Sequence, residues 1–200
     1  MAQKIEPLAR INLSIGTEYK ELDYAGGTLL YSTGGGIGLE AGLKLNLAKK
    51  FFIQTGLAYQ LHLALQSESF NGISNTSRFN FNRKSINLGT YRGFSLNDKL
   101  AHEFILGVGA NLNIPGKLTR IENDESLGSI EYDPSFGLYA EVGFKIPISN
   151  ITLMPNFRYR ILGFSARRFS DGHITQLPDY LRETNSNGFE LGLTITPKMK

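Results

Sequence analysis

The chain has no cysteine and no tryptophan among its 200 residues. Without cysteine, neither a disulfide framework nor a thiolate metal site can form. That is compatible with maturation in an oxidising compartment. No apolar run approaches the roughly 18 residues that mark a transmembrane helix. Helical spans are thereby excluded, but strands are not, because a barrel strand crosses with about 9–11 residues apolar on one face only. Charge is also sparse in any one place: 21 Lys+Arg against 18 Asp+Glu give a net +3 without a dense basic cluster. This argues against a nucleic-acid partner. The start, "MAQK", has neither a basic n-region nor an apolar h-region, so no signal peptide is present. "AQ" matches residues that straddle a signal-peptidase cut, and the sequence is read as a mature exported chain behind an added Met1.

What the chain does have is glycine, 22 residues of it, and a beat of two. From Ile37 the alternate positions are Leu39, Ala41, Leu43, Leu45 and Leu47, with Glu40, Gly42, Lys44 and Asn46 between them. After Lys49 and Lys50 the beat resumes through Phe51, Ile53, Thr55, Leu57, Tyr59 and Leu61. Two such runs around a two-residue turn predict a hairpin of strands. The same alternation recurs to the end of the chain, giving strands at about 8–19, 36–47, 51–65, 85–94, 101–114, 135–146, 151–163 and 188–196. The fourth is the least regular. Arg92 falls on its apolar face, and Phe79 and Phe81 have the opposite parity, so they mark a bulge or belong to the loop.

Connections alternate in length. Long polar stretches lie at roughly 20–35, 66–84, 116–133 and 164–187, and short ones at 48–50, 95–99 and 147–150. That sorting predicts a single all-β domain over residues 1–200, an eight-stranded antiparallel up-and-down transmembrane β-barrel with four long loops at one end and three short turns at the other.

The remaining question is which face points inward. The polar register carries Arg10, Glu18, Glu40, Lys44, Glu103, Glu141, Lys145, Arg158, Arg160 and Glu190, together with His62 and a row of glycines. Glycine on a solvated face only weakens a strand, whereas on the concave face of a narrow barrel it makes room for long neighbours. The apolar register is too large and uniform in Leu, Ile and Phe to fit inside eight strands. It is therefore expected to face lipid, with the charges paired in the lumen because an unpaired buried charge is costly. Lys44 is expected to pair with Glu40 or Glu103. Aromatic residues group at two levels, as an interfacial girdle requires: Phe51, Phe94 and Phe144 near the turns, and Tyr19, Tyr59, Phe136, Tyr159 and Phe189 toward the loops. The soluble alternative is a lipocalin-like barrel, apolar inside and holding a small hydrophobic ligand.

The stretches "GLEAGLKLNLAKKFFIQTGLAYQL" and "SFGLYAEVGFKIPISNITLMPNFRYR" resemble small eight-stranded outer-membrane barrels of the OmpX and OmpA membrane-domain kind, and most closely the PorT-like outer-membrane β-barrel domain. The resemblance covers nearly the whole chain. It implies residence in the bacterial outer membrane, termini and short turns in the periplasm, and long loops outside the cell. The chain ends "ITPKMK", whereas the family usually closes on a terminal aromatic.

Some barrels of this size modify lipids, which makes catalytic patterns relevant. No G-x-S-x-G elbow exists, and the three histidines, His62, His102 and His173, form no nucleophile–base pattern. A hydrogen-bonded structural role is expected for His62. The carboxylates of "ENDESLGSIEYD" lack the spacing of a calcium loop and read as solvated loop charge. The glycines of "YSTGGGIG" lack the Lys-Ser/Thr and helix of a phosphate loop and are expected to turn the first loop into the second strand. Arg167 and Arg168 form either a plain surface pair or a contact to lipopolysaccharide phosphates. The expectation is a non-enzymatic, cofactor-free, monomeric barrel without a metal. Charged side chains would fill its lumen, and it would act through its loops on an unidentified protein partner or on outer-membrane lipid. The alternatives are the lipocalin-like binder and a lipid-modifying outer-membrane enzyme.

Overall fold

The computed structural model describes residues 4–24, 27–62, 64–70, 73–95, 102–122 and 125–198. In chain order the strands are β1 (Lys4–Gly16), β2 (Lys20–Tyr24), β3 (Gly27–Tyr31), β4 (Gly36–Ala48) and β5 (Phe51–Leu61). Next come β6 (Ala64–Phe70), β7 (Ile73–Asn80), β8 (Arg83–Ser95), β9 (Glu103–Pro115), β10 (Leu118–Glu122) and β11 (Glu125–Tyr132). The last are β12 (Ser135–Ile148), β13 (Ile151–Ile161), β14 (Gly163–Phe169), β15 (Glu183–Asn185) and β16 (Gly188–Pro197), with a 3-10 turn (Ile174–Gln176) and a short helix, α1 (Asp179–Arg182), before β15.

Eight of these close into a barrel in the order β1-β16-β13-β12-β9-β8-β5-β4. Every pair is antiparallel, and β1 meets β16 through Ala9–Ile195 to Gly16–Gly188, which leaves the barrel no free edge. The barrel strands run from 10 residues in β16 to 14 in β12, enough to cross a bilayer.

The apolar register faces outward. Leu57 is 67% exposed, Val108 62% and Leu138 64%, while Arg10, Glu141, Arg158 and Glu190 are buried. This overturns the lipocalin-like alternative, which needs the opposite assignment. The physical reason is volume: the inward positions are small or polar, and several glycines leave space that inward side chains occupy. A Cβ on Gly107 would collide with the Tyr91 ring, and one on Gly109 with the Tyr139 ring.

Two expectations need correction, and one open choice is decided. The fourth strand carries no bulge, which leaves the loop reading for Phe81: β8 keeps an unbroken register with both neighbours. Phe81 precedes it and is buried outside the barrel, while the side chain of Phe79 lies outside the described residues. The irregularity occurs instead between Asn46 and Ala48 in β4. The first strand spans Lys4–Gly16 rather than 8–19, so Glu6 belongs to the barrel and Glu18 does not. Finally, the polar loops are themselves largely strand. β2 and β3 form a hairpin, and β15-β14-β11-β10-β7-β6 form a second sheet beyond the barrel.

That second sheet has its own core. Phe81, Leu118, Ile130, Tyr132, Leu162, Phe164 and Leu177 bury together, with Ala166, Phe169, Tyr180 and Leu181 packed against them. Phe81 meets the rings of Tyr132 and Phe164 edge-on, each at 5.4 Å between centroids.

Candidate functional site

The inward side chains form layers along the barrel axis. Nearest the turns, Lys44 Nζ lies 3.1 Å from Glu6 and Lys145 Nζ lies 2.9 Å from Glu103. Lys44 therefore pairs with Glu6, not with Glu40 or Glu103. The reason is register: β1 begins early enough to set Glu6 directly opposite Lys44. Above this ring an apolar and aromatic layer fills the lumen with Phe52, Tyr91, Ile105, Tyr139 and Met154. Phe52 and Tyr91 stack at 5.1 Å with their planes within 3°.

The next layer is charged. Glu141 Oε2 accepts from Arg158 Nη2 at 2.7 Å and from Arg10 Nη1 at 3.1 Å. It also takes the Tyr91 hydroxyl at 3.2 Å. Arg158 lies over the Tyr139 ring at 4.0 Å and reaches toward Glu40 at 3.8 Å and Glu190 at 3.7 Å. Arg160 pairs with Glu190. Residues from β1, β4, β12, β13 and β16 thus meet across the lumen, which only a narrow barrel permits.

Toward the loops, Arg160 and Arg83 both donate to the side-chain oxygen of Gln60. Arg83 also donates to the Thr33 carbonyl at 3.5 Å, and Arg160 to that of Gly34 at the same distance. The segment after β3 turns back into the barrel mouth, where Ser186 Oγ donates to Thr33 Oγ1 at 2.5 Å and Thr33 Oγ1 donates to the Asn185 carbonyl at 3.0 Å. His62 contacts the Ser32 carbonyl through Nε2 at 2.5 Å. The glycines of "YSTGGGIG" serve this return. Gly36 enters β4 at φ 141°, a conformation open to glycine, and a Cβ on Gly34 would meet the Asn187 carbonyl at 2.5 Å.

Of the charged residues expected inside, Arg10, Glu40, Lys44, Glu103, Glu141, Lys145, Arg158, Arg160 and Glu190 all occupy this stack. Glu18 sits at the mouth instead, accepting from Asn187 at 2.6 Å and Asn185 at 2.8 Å. Glu6 and Arg83 were not among the expected residues. Both stand in the polar parity of their strands but just outside the expected strand ends.

The aromatic positions also fall at two levels. Phe51, Phe94 and Phe144 lie toward the turns, and Phe104, in register with both Phe94 and Phe144, joins them. Phe144 stacks on His102 at 5.7 Å. At the loop end, Phe136 is 78% exposed, Phe189 packs against Tyr159 at 4.9 Å, and Tyr19 and Tyr59 are exposed. On the second sheet, Arg167 binds Glu131 at 3.0 Å, and Lys117 reaches the same carboxylate at 2.9 Å. Hydrogen bonds from Lys117 and Arg167 hold the Glu131 carboxyl below the usual carboxylate range. Arg168 is exposed. Much of the acidic stretch "ENDESLGSIEYD" lies outside the described residues. Among those described, no group of His, Asp and Glu is arranged to hold a metal.

Comparison with known structures rests on shape. Neisserial surface protein A matches with a TM-score of 0.58 at 12% identity over 100% of both chains. This chain has the fold of the small eight-stranded outer-membrane barrels. The outer membrane protein OprG from Pseudomonas aeruginosa matches at TM-score 0.54 and 12% identity, over 98% of this chain and 94% of that one. A major outer membrane protein from Thermus thermophilus matches at 0.51 and 12%, over 97% and 99%. No family model and no curated protein matches. The PorT-like likeness thus remains one of sequence pattern, while the transmembrane barrel is common to all three structures.

Proposed function

We propose that this is a non-enzymatic protein of the bacterial outer membrane, closed to permeation, that works through its folded loop sheet as a binding, structural or accessory component. The observation that carries the reading is the double filling of the lumen. A packed apolar layer (Phe52, Tyr91, Ile105, Tyr139 and Met154) lies beneath an ion-pair layer centred on Arg158 and Glu141. Eight strands enclose a space that side chains just fill. A solute would have to displace both a dry layer and a set of buried ion pairs.

The loop end supports the second half of the reading. Its sheet has an aromatic core of its own and so offers a surface with a defined shape. Arg167 and Arg168 lie on β14 of that sheet; Arg167 is held by Glu131, so a contact with lipopolysaccharide phosphates would fall to the exposed Arg168. The closed barrel, having no unpaired strand edge, favours a monomer.

Planar-bilayer recording tests the closure. The protein reconstituted in lipid is expected to give no stable conductance, and a steady porin-like current overturns the reading. Extraction tests the membrane assignment: the protein should require detergent and migrate differently on a gel before and after boiling.

A further inference from the structure

The outward face of the barrel contains one exception to its apolar character that the closed-lumen reading does not use. Among the described residues of the eight barrel strands, the outward register carries two cations, Lys84 and Arg92, and no carboxylate. Both are on β8, at opposite ends.

Arg92 is the more constrained. It lies three residues before the end of β8, roughly 10 Å along the strand, or ~8 Å along the normal at a tilt of about 40°. Its guanidinium carbon stands 5.4 Å from the centre of the Phe94 ring, toward the turn end. Across the sheet it is flanked by Phe51 and Leu106. Gly93 N–H donates to the Lys50 carbonyl at 2.7 Å, which brings the exposed Lys49-Lys50 turn alongside. Arg92 thus stands on the turn-side rim with the Lys49-Lys50 turn as its neighbour.

From that point a trough runs toward the middle of the barrel. Its first part lies over Thr90 and Ala140, between walls that include Leu106, Val142 and Phe157. Its continuation shares Thr90, Val108, Ala140 and Tyr159 and runs on over Ala110. Small side chains on β8, β9 and β12 therefore form a floor between larger apolar neighbours. A cationic rim over an apolar trough matches a molecule with an anionic head and a hydrocarbon tail.

We propose that this trough binds one anionic phospholipid of the periplasmic leaflet, its phosphate at Arg92 and Lys50 and an acyl chain along Thr90, Ala110 and Ala140. The proposal rests on the outer-membrane reading, which puts the turn end in the periplasmic leaflet. A second copy of the chain is the poorer occupant. An outward-facing Arg92 would be buried against a surface whose described residues include no carboxylate to pair with it.

Native mass spectrometry of the detergent-solubilised protein tests this, with dioleoylphosphatidylglycerol and dioleoylphosphatidylcholine as probes. Wild type is expected to retain one phosphatidylglycerol in preference to phosphatidylcholine. Arg92→Gln should lower that retention about fivefold and Lys50→Gln by a smaller factor, on the scale of one basic residue near a lipid surface. Ala140→Phe, which fills the trough and leaves every charge in place, should also lower it. Heat-dependent gel migration checks that each variant still forms the barrel. Equal retention by wild type and folded Arg92→Gln overturns the proposal, as does a folded Ala140→Phe that keeps its lipid. A dimer that dissociates on Arg92→Gln overturns it in favour of the second copy. If wild type stays soluble and monodisperse without detergent, the membrane reading itself fails. A detergent-dependent barrel with no phosphatidylglycerol preference sinks only the lipid site.

Discussion

Arg158 holds Glu141 through two atoms at once, its Nη2 at 2.7 Å and its Nε at 2.9 Å from the same carboxylate oxygen. Both residues are buried, and among the described residues Arg10 and Tyr91 are the others that hydrogen-bond to that oxygen. Replacing Arg158 by Met leaves a buried carboxylate short of its main partner. We expect a loss on the order of 3–5 kcal/mol, read from urea unfolding in detergent micelles by gel mobility. A variant as stable as wild type would mean the ion-pair layer does not hold the barrel together.

The two faces of β4 and β5 should respond differently to charge. Leu57→Arg puts a cation on the lipid side in mid-strand, at a cost of about 2–4 kcal/mol. Lys44→Met removes the nearer partner of Glu6 and leaves Lys4 at 3.7 Å, and the Lys44–Glu6 pair lies near the turn end, with 11% and 14% of the two side chains still accessible. The loss should lie between the exposed and fully buried limits, on the order of 1–2 kcal/mol. Folded fraction in lipid, measured for both variants, checks the order. A harmless Leu57→Arg would reverse the assignment of the faces.

Gly107→Ala drives a methyl group into the Tyr91 ring, which is stacked on Phe52 and cannot easily yield. Overpacking of this kind costs about 1–3 kcal/mol. Gly143→Ala meets the Met154 side chain, its Cγ 3.2 Å away, and the Pro155 carbonyl at an ordinary 3.4 Å, and methionine adapts readily. The first variant should unfold at lower urea and the second close to wild type. Equal midpoints would show that the aromatic layer is looser than its geometry indicates.

Acid should loosen the loop sheet through Glu131. Hydrogen bonds from Lys117 and Arg167 depress its titration, so its contribution is fully present above the usual carboxylate range. It fades as pH falls through the lowered value in the folded state. Limited proteolysis of the loop sheet should therefore accelerate in that acid window, and Glu131→Gln should flatten the dependence. Since the group is partly exposed, added salt should weaken the effect. An unchanged pH profile in Glu131→Gln would assign the acid response to other groups.

The barrel was legible because its outward face must be apolar at every second residue, and Leu39 through Leu47 or Phe104 through Ile114 have no other use for that beat. The strand ends were less so. Glu6 and Arg83 continue the inward parity of β1 and β8, but Pro7 and the doublet Arg83-Lys84 interrupt the visible alternation, and only register across the sheet shows where they point. The loop sheet escaped because the two pairings that join its hairpins into one sheet, β7 with β10 and β11 with β14, are between segments far apart in the chain. Ile130 opposite Phe169 is one example. Phe81 broke the parity of the fourth strand because it serves this other core. Of the charged stack, the identities of the members followed from parity, whereas their pairing depended on the diagonal course of rows around the barrel.

The packed core under the loop sheet bears on how anything outside the cell would meet this protein. A recognition surface built from loose loops has to be ordered by its ligand, at about 0.5–1.5 kcal/mol for each immobilised side chain. Around Phe81, Tyr132 and Phe164 that ordering is already done during folding. A visitor meets an epitope made of segments distant in sequence, one that a short peptide copied from any single loop would not reproduce.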